Sequence, residues 1–502
     1  MNLAELVRQR TVAAESSPCL RFDRSGEEVW TYRELLERGR AAAGALTELG
    51  VQPGDRVVVQ VEKSPEAVAL YLGVLWAGAV FVPLNVAYTA AEVAFFVEDC
   101  APRLVVVDPQ RLPSLEEAEV SCEHVLTLSS AGGGSWLRAS LEGRGSPEPA
   151  ACSSGELAAI VYTSGTTGRS KGAMITHGNL TSNALALYEL WGFVPGDVLL
   201  HALPIFHVHG LFVALHTAFL NASEIRFLPR FDLDAVCRSL PQCSVMMGVP
   251  TFYGRLLEHA PFDRELVRGM RLFVSGSAPL TEATFEAFER RTGHRILERY
   301  GMSEAGMITS NPLDGERVAG TVGYPLPGVE VRVCDASDEE VEDDDVGVLQ
   351  VRGPNVFAGY WKLPEKTEEE HRPGGWFVSG DLVTRSADGR IAIVGRAKDL
   401  VISGGYNIYP KEIESVLDRV PGVLESAVVG VPHSDLGEGV VAVLVAEQEP
   451  VGTAVLQLAL DAELARFKHP RRFEWVDALP RNAMAKVQKQ ALRERYWGAY
   501  DR

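Results

Sequence analysis

The chain has 502 residues, of which 46% are hydrophobic and 23% charged. That composition excludes intrinsic disorder and collagen-like structure and suits a soluble globular protein of about three lobes. With 48 Lys and Arg against 67 Asp and Glu, the formal net charge is −19, a field that repels nucleic acid and anionic membrane.

From the N-terminus the pattern is α/β. Thr31 and Glu34 have capping-box spacing ahead of a helix carrying Leu35, Ala42, Leu46 and Leu49. Gly50 stops that helix, and PGD at 53–55 turns into a strand at 56–61. The uncharged stretch Ala67 to Leu84 barely reaches membrane-spanning length. Gly78 and Pro83 divide it into a helix ending near Ala77 and a buried strand at 80–82. VVVD at 105–108 is a third strand, and strands alternating with helices predict a parallel sheet. Residues 128–155, rich in Gly, Ser, Pro and Ala, are expected to be a surface connection. A second α/β stretch spans about 156–320. Short strands with turns follow at 329–333, 347–353 and 389–395. Between the first two, 334–347 carries eight acidic residues and is expected to be a solvated hairpin loop. A small α+β unit begins near 398. Seven cysteines at 19, 100, 122, 152, 237, 243 and 334 form no C-x-x-C pair, as expected of free thiols in a reducing, cytoplasmic setting. The N-terminus has no apolar leader core.

The densest chemistry lies at 160–177, IVYTSGTTGRSKGAMITH. A buried strand enters a run of Gly165 and Gly168, with Thr163, Ser164, Thr166, Thr167 and Ser170 as hydroxyl donors and Lys171 as a charge. Exposed backbone N–H groups, hydroxyls and one ammonium make a phosphate cradle. It is not a Walker A loop, because GxxxxGK[ST] is absent. His207 and His209 form an H-x-H on a predicted strand end, with no third metal ligand in spacing.

Several further phrases occur in order: LPIFHVHG at 203–210, SGSAPL at 275–280, ERYGMSEAG at 298–306, GYPLPGVEV at 323–331, WFVSGD at 376–381, GRAKDLVISGGYNIYP at 395–410 and PRNAMAKVQK at 480–489. With the 160–177 loop they resemble the adenylate-forming superfamily of acyl-CoA synthetases, adenylation domains and luciferases. The likeness spans nearly the whole chain. It implies a large N-terminal domain at 1–397, made of α/β lobes and a small β-barrel-like region, and a mobile α+β domain at 398–502.

The resemblance also implies ATP and CoA as co-substrates, Mg²⁺ as cofactor, and roles for individual residues. Residues 163–171 would hold the β- and γ-phosphates. Ser277, Ala278, Pro279, Glu298, Tyr300, Gly301 and Met302 would form the nucleotide pocket, with Tyr300 on adenine. Ser303 would donate to the α-phosphate and Glu304 would hold Mg²⁺. Asp381 and Arg396 would take the ribose, Lys398 would be the hinge, and Lys486 would reach the reacting carboxylate. The family commonly has Gly where Ala485 stands. His207 is a gate position, and His209 either lines the acyl pocket or is a core histidine. Gly404, Gly405 and Tyr406 lie where the pantetheine arm passes. The basic cluster Arg466, Lys468, His469, Arg471 and Arg472 is either a site for CoA's nucleotide end or a solvated face.

Three details narrow the acid. Arg299 stands where relatives acting on fatty or aryl acids commonly have a small residue, and a buried guanidinium needs an anion. Its alternative role is an ion pair with Glu298. Met246, Met247 and Met307 are bulky enough to shorten the pocket. Whole phrases resemble the malonyl-CoA synthetase branch, which implies malonate with its second carboxylate on Arg299 and leaves methylmalonate open. The alternatives are a medium-chain or aryl acyl-CoA synthetase and a free-standing adenylation enzyme that loads a carrier protein.

Overall fold

The structure, a computed structural model, describes residues 1–142, 148–163, 170–404, 406–482 and 486–500. Ser164, Gly165, Thr166, Thr167 and Gly168 of the cradle lie outside the described residues, as do Gly405 and Ala485.

A six-stranded sheet takes the order His124–Thr127, Leu104–Val107, Arg56–Gln60, Val80–Pro83, Leu157–Thr163, Lys171–Thr176. Its first five strands run parallel, and the last pairs antiparallel with its neighbour. The cradle therefore connects two strands of a hairpin, with an apolar segment on each side as the sequence predicts. The helix Pro65–Trp76 begins at Ser64, whose side chain accepts from the Ala67 amide, and it is buried on every face. Gly73 explains its close seating: a Cβ there would sit 2.5 Å from the Ala42 Cβ of the helix Tyr32–Glu48. The uncharged stretch is thus a core helix–strand unit. Among the described residues no helix is long and apolar enough to cross a membrane.

A nine-stranded sheet has six parallel central strands: Leu297–Met302, Leu272–Ser275, Val245–Gly248, Val198–His201, Glu224–Phe227 and Pro18–Asp23. Gly306–Ser310 and Glu27–Thr31 add antiparallel strands on the two sides. The short-strand region at 330–396 is a five-stranded antiparallel sheet. The acidic stretch joins two of its strands. It is less free than expected, because Arg372 binds Asp338 and Arg385 binds Glu340 and Asp343.

From Val401 a further five-stranded sheet forms around the hairpin Val423–His433 and Gly437–Ala446. Apolar clusters around Ile413, Leu417 and Leu460 and around Val429, Val441 and Leu492 give this unit its own core.

Two expectations need correction. The stretch 128–155 is not all surface connection. It contains a helix, Ser135–Glu142, and both Leu128 and Trp136 are buried in the main core. Burying one large aromatic contributes about 1.5–3 kcal/mol, enough to dock a short helix despite the glycines around it. The H-x-H also does not end a strand. The strand stops at His201, and His209 opens a π-helical segment, His209–Leu215. Such wide turns cluster at functional sites.

Candidate active site

The strands Leu297–Met302 and Gly306–Ser310 are joined by a turn that carries Ser303 and Glu304. Two glycines make it tight. A Cβ on Gly301 would lie 2.1 Å from the Gly306 carbonyl, and Gly306 itself has φ +53°. Glu304 is buried, and burial pushes its carboxyl up from the usual range. Thr163, at the last described residue before the cradle, donates to Glu304 at 3.4 Å. The Tyr360 hydroxyl lies 3.2 Å from Glu304 and 2.7 Å from Glu370. Lys171 donates to Glu370 at 3.1 Å and sits 4.1 Å over the Tyr360 ring. The cradle lysine is thus held beside Glu304 by a tyrosine and a glutamate that the motifs did not flag. No local pattern signals them, since Glu370 is 199 residues from Lys171.

Asp381 and Arg396 face each other on paired strands and form an ion pair at 2.5 Å. The buried Tyr300 hydroxyl donates to the other Asp381 oxygen. The three expected nucleotide contacts therefore converge. Ser277 has φ +72°, a left-handed conformation that a serine adopts at a cost. Its hydroxyl is 3.2 Å from His209 Nδ1.

Arg299 is 2% exposed, yet among the described residues its Nε and Nη2 have no hydrogen-bond partner. Those two atoms form one edge of the guanidinium, the edge that accepts a carboxylate side-on. Burial lowers its pKa to about 9, so it remains charged at neutral pH. The ion-pair alternative with Glu298 is not realised. The Glu298 carboxylate instead accepts from the Leu280 amide at 3.0 Å, and burial raises its pKa to about 7. Gly276 makes room for the arginine, since a Cβ there would lie 2.5 Å from the guanidinium carbon. Its significance was not evident from the SGSAPL phrase alone.

His209 is 1% exposed, and burial and the Arg299 charge hold its ring neutral. Burial, Arg299 and Lys486 lower the His207 pKa to about 4. His207 therefore lies within the fields of both cations. Met307 is buried and pinned through both backbone atoms by Asn183 at 3.0 and 2.9 Å. Met246 and Met247 pack into cores on opposite faces of their strand.

Lys486 is exposed. The protein crowded around its ammonium, with Arg396 and Lys398 nearby, lowers its pKa to about 8. Lys398 lies in the 3₁₀ turn Ala397–Asp399, where Arg493 donates to the Lys398 carbonyl at 3.3 Å and to Asp399 at 2.9 Å. Gly404 has φ +59°, and Tyr406 is exposed and stacked on Phe467 at 4.6 Å. The basic cluster is largely neutralised: Lys468 pairs with Glu412 and Arg472 with Glu474. Ala278 and Pro279 follow Ser277 in the chain, and Met302 packs against the core near Tyr300.

One buried carboxylate with hydroxyls beside it, and a buried Asp381–Arg396 pair with Lys486 of the C-terminal unit close to it, make up the candidate site. The profile described as AMP-binding enzyme matches residues 8–361, and that of its C-terminal domain matches residues 412–486. The chain belongs to the AMP-binding enzyme family and has the adenylate-forming fold. A malonate–CoA ligase of Arabidopsis thaliana is 36% identical over 491 residues, covering 89% of this chain and 78% of the relative. The crystal structure of ATP-bound MatB from Rhodopseudomonas palustris is 46% identical, with a TM-score of 0.96 over 100% of both chains. Apo MatB from the same organism, at the same identity, gives 0.85 over 100% of this chain and 99% of the other. The arrangement here is thus nearer to the ATP-bound form.

Proposed function

We propose that this enzyme is an AMP-forming malonate–CoA ligase. The carboxylate of malonate attacks the α-phosphorus of ATP, the bond to pyrophosphate breaks, and a malonyl-adenylate forms. The thiol sulfur of CoA then attacks the acyl carbon, the acyl–phosphate bond breaks, and malonyl-CoA and AMP leave. The observation that carries this reading is the buried Arg299 edge with two unpartnered donors. A buried cation without an anion is costly, and a second carboxylate on the substrate removes that cost.

The remaining roles are part of the same proposal. The cradle at 163–171 holds the β- and γ-phosphates, and Lys171 leaves or extends from Glu370 to meet them. Tyr300, Ser277, Ala278, Pro279, Glu298, Gly301 and Met302 enclose the adenosine. Asp381 and Arg396 bind the ribose, and Ser303 donates to the α-phosphate. Lys486 stabilises charge as carboxylate and phosphate join. His207 gates the pocket, and His209 and Met307 line it beside Arg299. Glu304, a hard oxygen donor with Thr163 beside it, would hold magnesium, which would neutralise phosphate charge there. The 398–502 unit turns about Lys398 between half-reactions, bringing Gly404, Gly405 and Tyr406 to the pantetheine arm. All seven cysteines are free thiols, which supports a reducing, cytoplasmic setting.

The test is pyrophosphate and AMP release across mono- and dicarboxylic acids, with CoA as acceptor. Malonate should lead the panel. Preference for a medium-chain or aryl acid, or transfer only to a carrier protein, would replace this reading with one of the two alternatives.

A further inference from the structure

Lys63 follows the strand Arg56–Gln60 and is 8% exposed. Among the described residues it makes no ion pair with a carboxylate. Its Nζ instead lies 2.6 Å from His201 Nδ1, donates to the His201 carbonyl at 2.9 Å, and sits 4.3 Å over the Phe227 ring. His201 is fully buried at the end of a central strand of the other large sheet. Its Nε2 is 2.9 Å from the Gly210 carbonyl. Burial pushes the Lys63 pKa well below its usual value, and the contacts around the imidazole set its tautomer. Because the Gly210 carbonyl can only accept, the proton of the neutral His201 ring sits on Nε2, and Nδ1 accepts from Lys63.

Gly210 is the second residue of the π-helical segment and adjoins His209. It is packed so closely that a Cβ would lie 2.0 Å from the Pro204 carbonyl. His209 in turn meets Ser277 at 3.2 Å in the pocket that holds Arg299. We propose that Lys63 and His201 are positioning residues for the acid pocket: Lys63 fixes the tautomer of His201, and His201 anchors the Gly210 carbonyl and with it the loop bearing His207 and His209. Without Lys63 the proton is free to move to Nδ1, and two acceptors, Nε2 and the Gly210 oxygen, then face each other. The inference rests on the acid pocket lying beside Arg299 and His209, as in the proposed function.

The test compares Lys63→Met with Lys63→Gln, whose amide still donates to Nδ1. Each is assayed for the KM of ATP and of whichever acid the wild type prefers, so a wild type that does not prefer malonate refutes the malonate reading without disturbing this test. Lys63→Met should raise the acid KM about tenfold or more while the ATP KM stays within about twofold. Lys63→Gln should recover most of the loss. Equal change in both KM values, no change in the acid KM, or no recovery by glutamine overturns the proposal. Should Lys63→Met not fold, ¹⁵N spectra of histidine-labelled wild type decide, with His201 assigned by its loss in His201→Gln. A neutral ring with its proton on Nε2 is expected; a proton on Nδ1, or on both nitrogens, overturns the proposal.

Discussion

Arg299→Met separates the cost of a buried charge from its use. The replacement keeps most of the volume, so the pocket wall beside Gly276 stays filled. What it removes is the pair of unpartnered donors, Nε and Nη2. Two charge-assisted bonds to a carboxylate contribute about 1.5–3 kcal/mol each. Desolvating that carboxylate offsets part of the gain, leaving about 3 kcal/mol, or roughly 10²-fold in kcat/KM for malonate. A monocarboxylate gains nothing from the arginine and suffers from its unpaired charge, so kcat/KM for butyrate should hold or rise. The same logic gives a stability sign. Burial lowers the Arg299 pKa to about 9. Below pH 9 the folded enzyme carries the full penalty of a buried charge that the unfolded chain lacks, and stability recovers only as pH rises from about 9 toward the unfolded value. Arg299→Met should therefore raise Tm at pH 7 while lowering malonate activity. The assay is coupled pyrophosphate release with each acid, expressed as a ratio of kcat/KM values, beside thermal melts. Equal losses on malonate and butyrate, or a lowered Tm, would refute the reasoning and make Arg299 a structural residue.

Lys486→Ala should cost adenylate formation about 10² or more yet spare thiolysis of supplied malonyl-adenylate; equal loss of both halves would count against its role. Because the lysine must be charged and its pKa is lowered to about 8, the rate of the first half-reaction should fall as pH rises through 8, and a flat profile to pH 10 would contradict this. Lys398→Pro, which locks φ near −65°, should preserve adenylation and collapse thioester formation, as read by single-turnover assays of each half. Gly276→Ala, with its Cβ 2.5 Å from the guanidinium, should shift the malonate-to-butyrate ratio in the same direction as Arg299→Met and leave the ATP KM unchanged.

Local chemistry made part of this molecule legible. The capping pair Thr31 and Glu34 and the apolar strands on either side of the cradle follow from periodicity and turn residues, and the structure realises both halves of the Thr31–Glu34 capping box. The helix Ser135–Glu142 was hidden because its one anchor, Trp136, stands among glycines and serines. The run LPIFHVHGLFVAL is apolar apart from His207 and His209, and that one H-x-H is too short a pattern to distinguish a strand end from a wide helix. Long-range partners leave no mark on the chain at all. Nothing near Lys171 announces Glu370, nor does anything near Lys63 announce His201, 138 residues away. The unusual arginine at 299 was visible. That it lacks a protein partner, with Glu298 turned to the Leu280 amide instead, could be learned only from the fold.

The central claim is that this site joins a dicarboxylate to CoA through an adenylate. The most direct measurement incubates the purified enzyme with ATP, Mg²⁺, CoA and equimolar malonate, propionate, butyrate and benzoate, and identifies the thioesters by mass. Malonyl-CoA should exceed every other product by about 10²-fold, in keeping with the Arg299 energetics, with one AMP released per thioester. A product mixture dominated by butyryl- or benzoyl-CoA, or thioester formed without AMP, would contradict it.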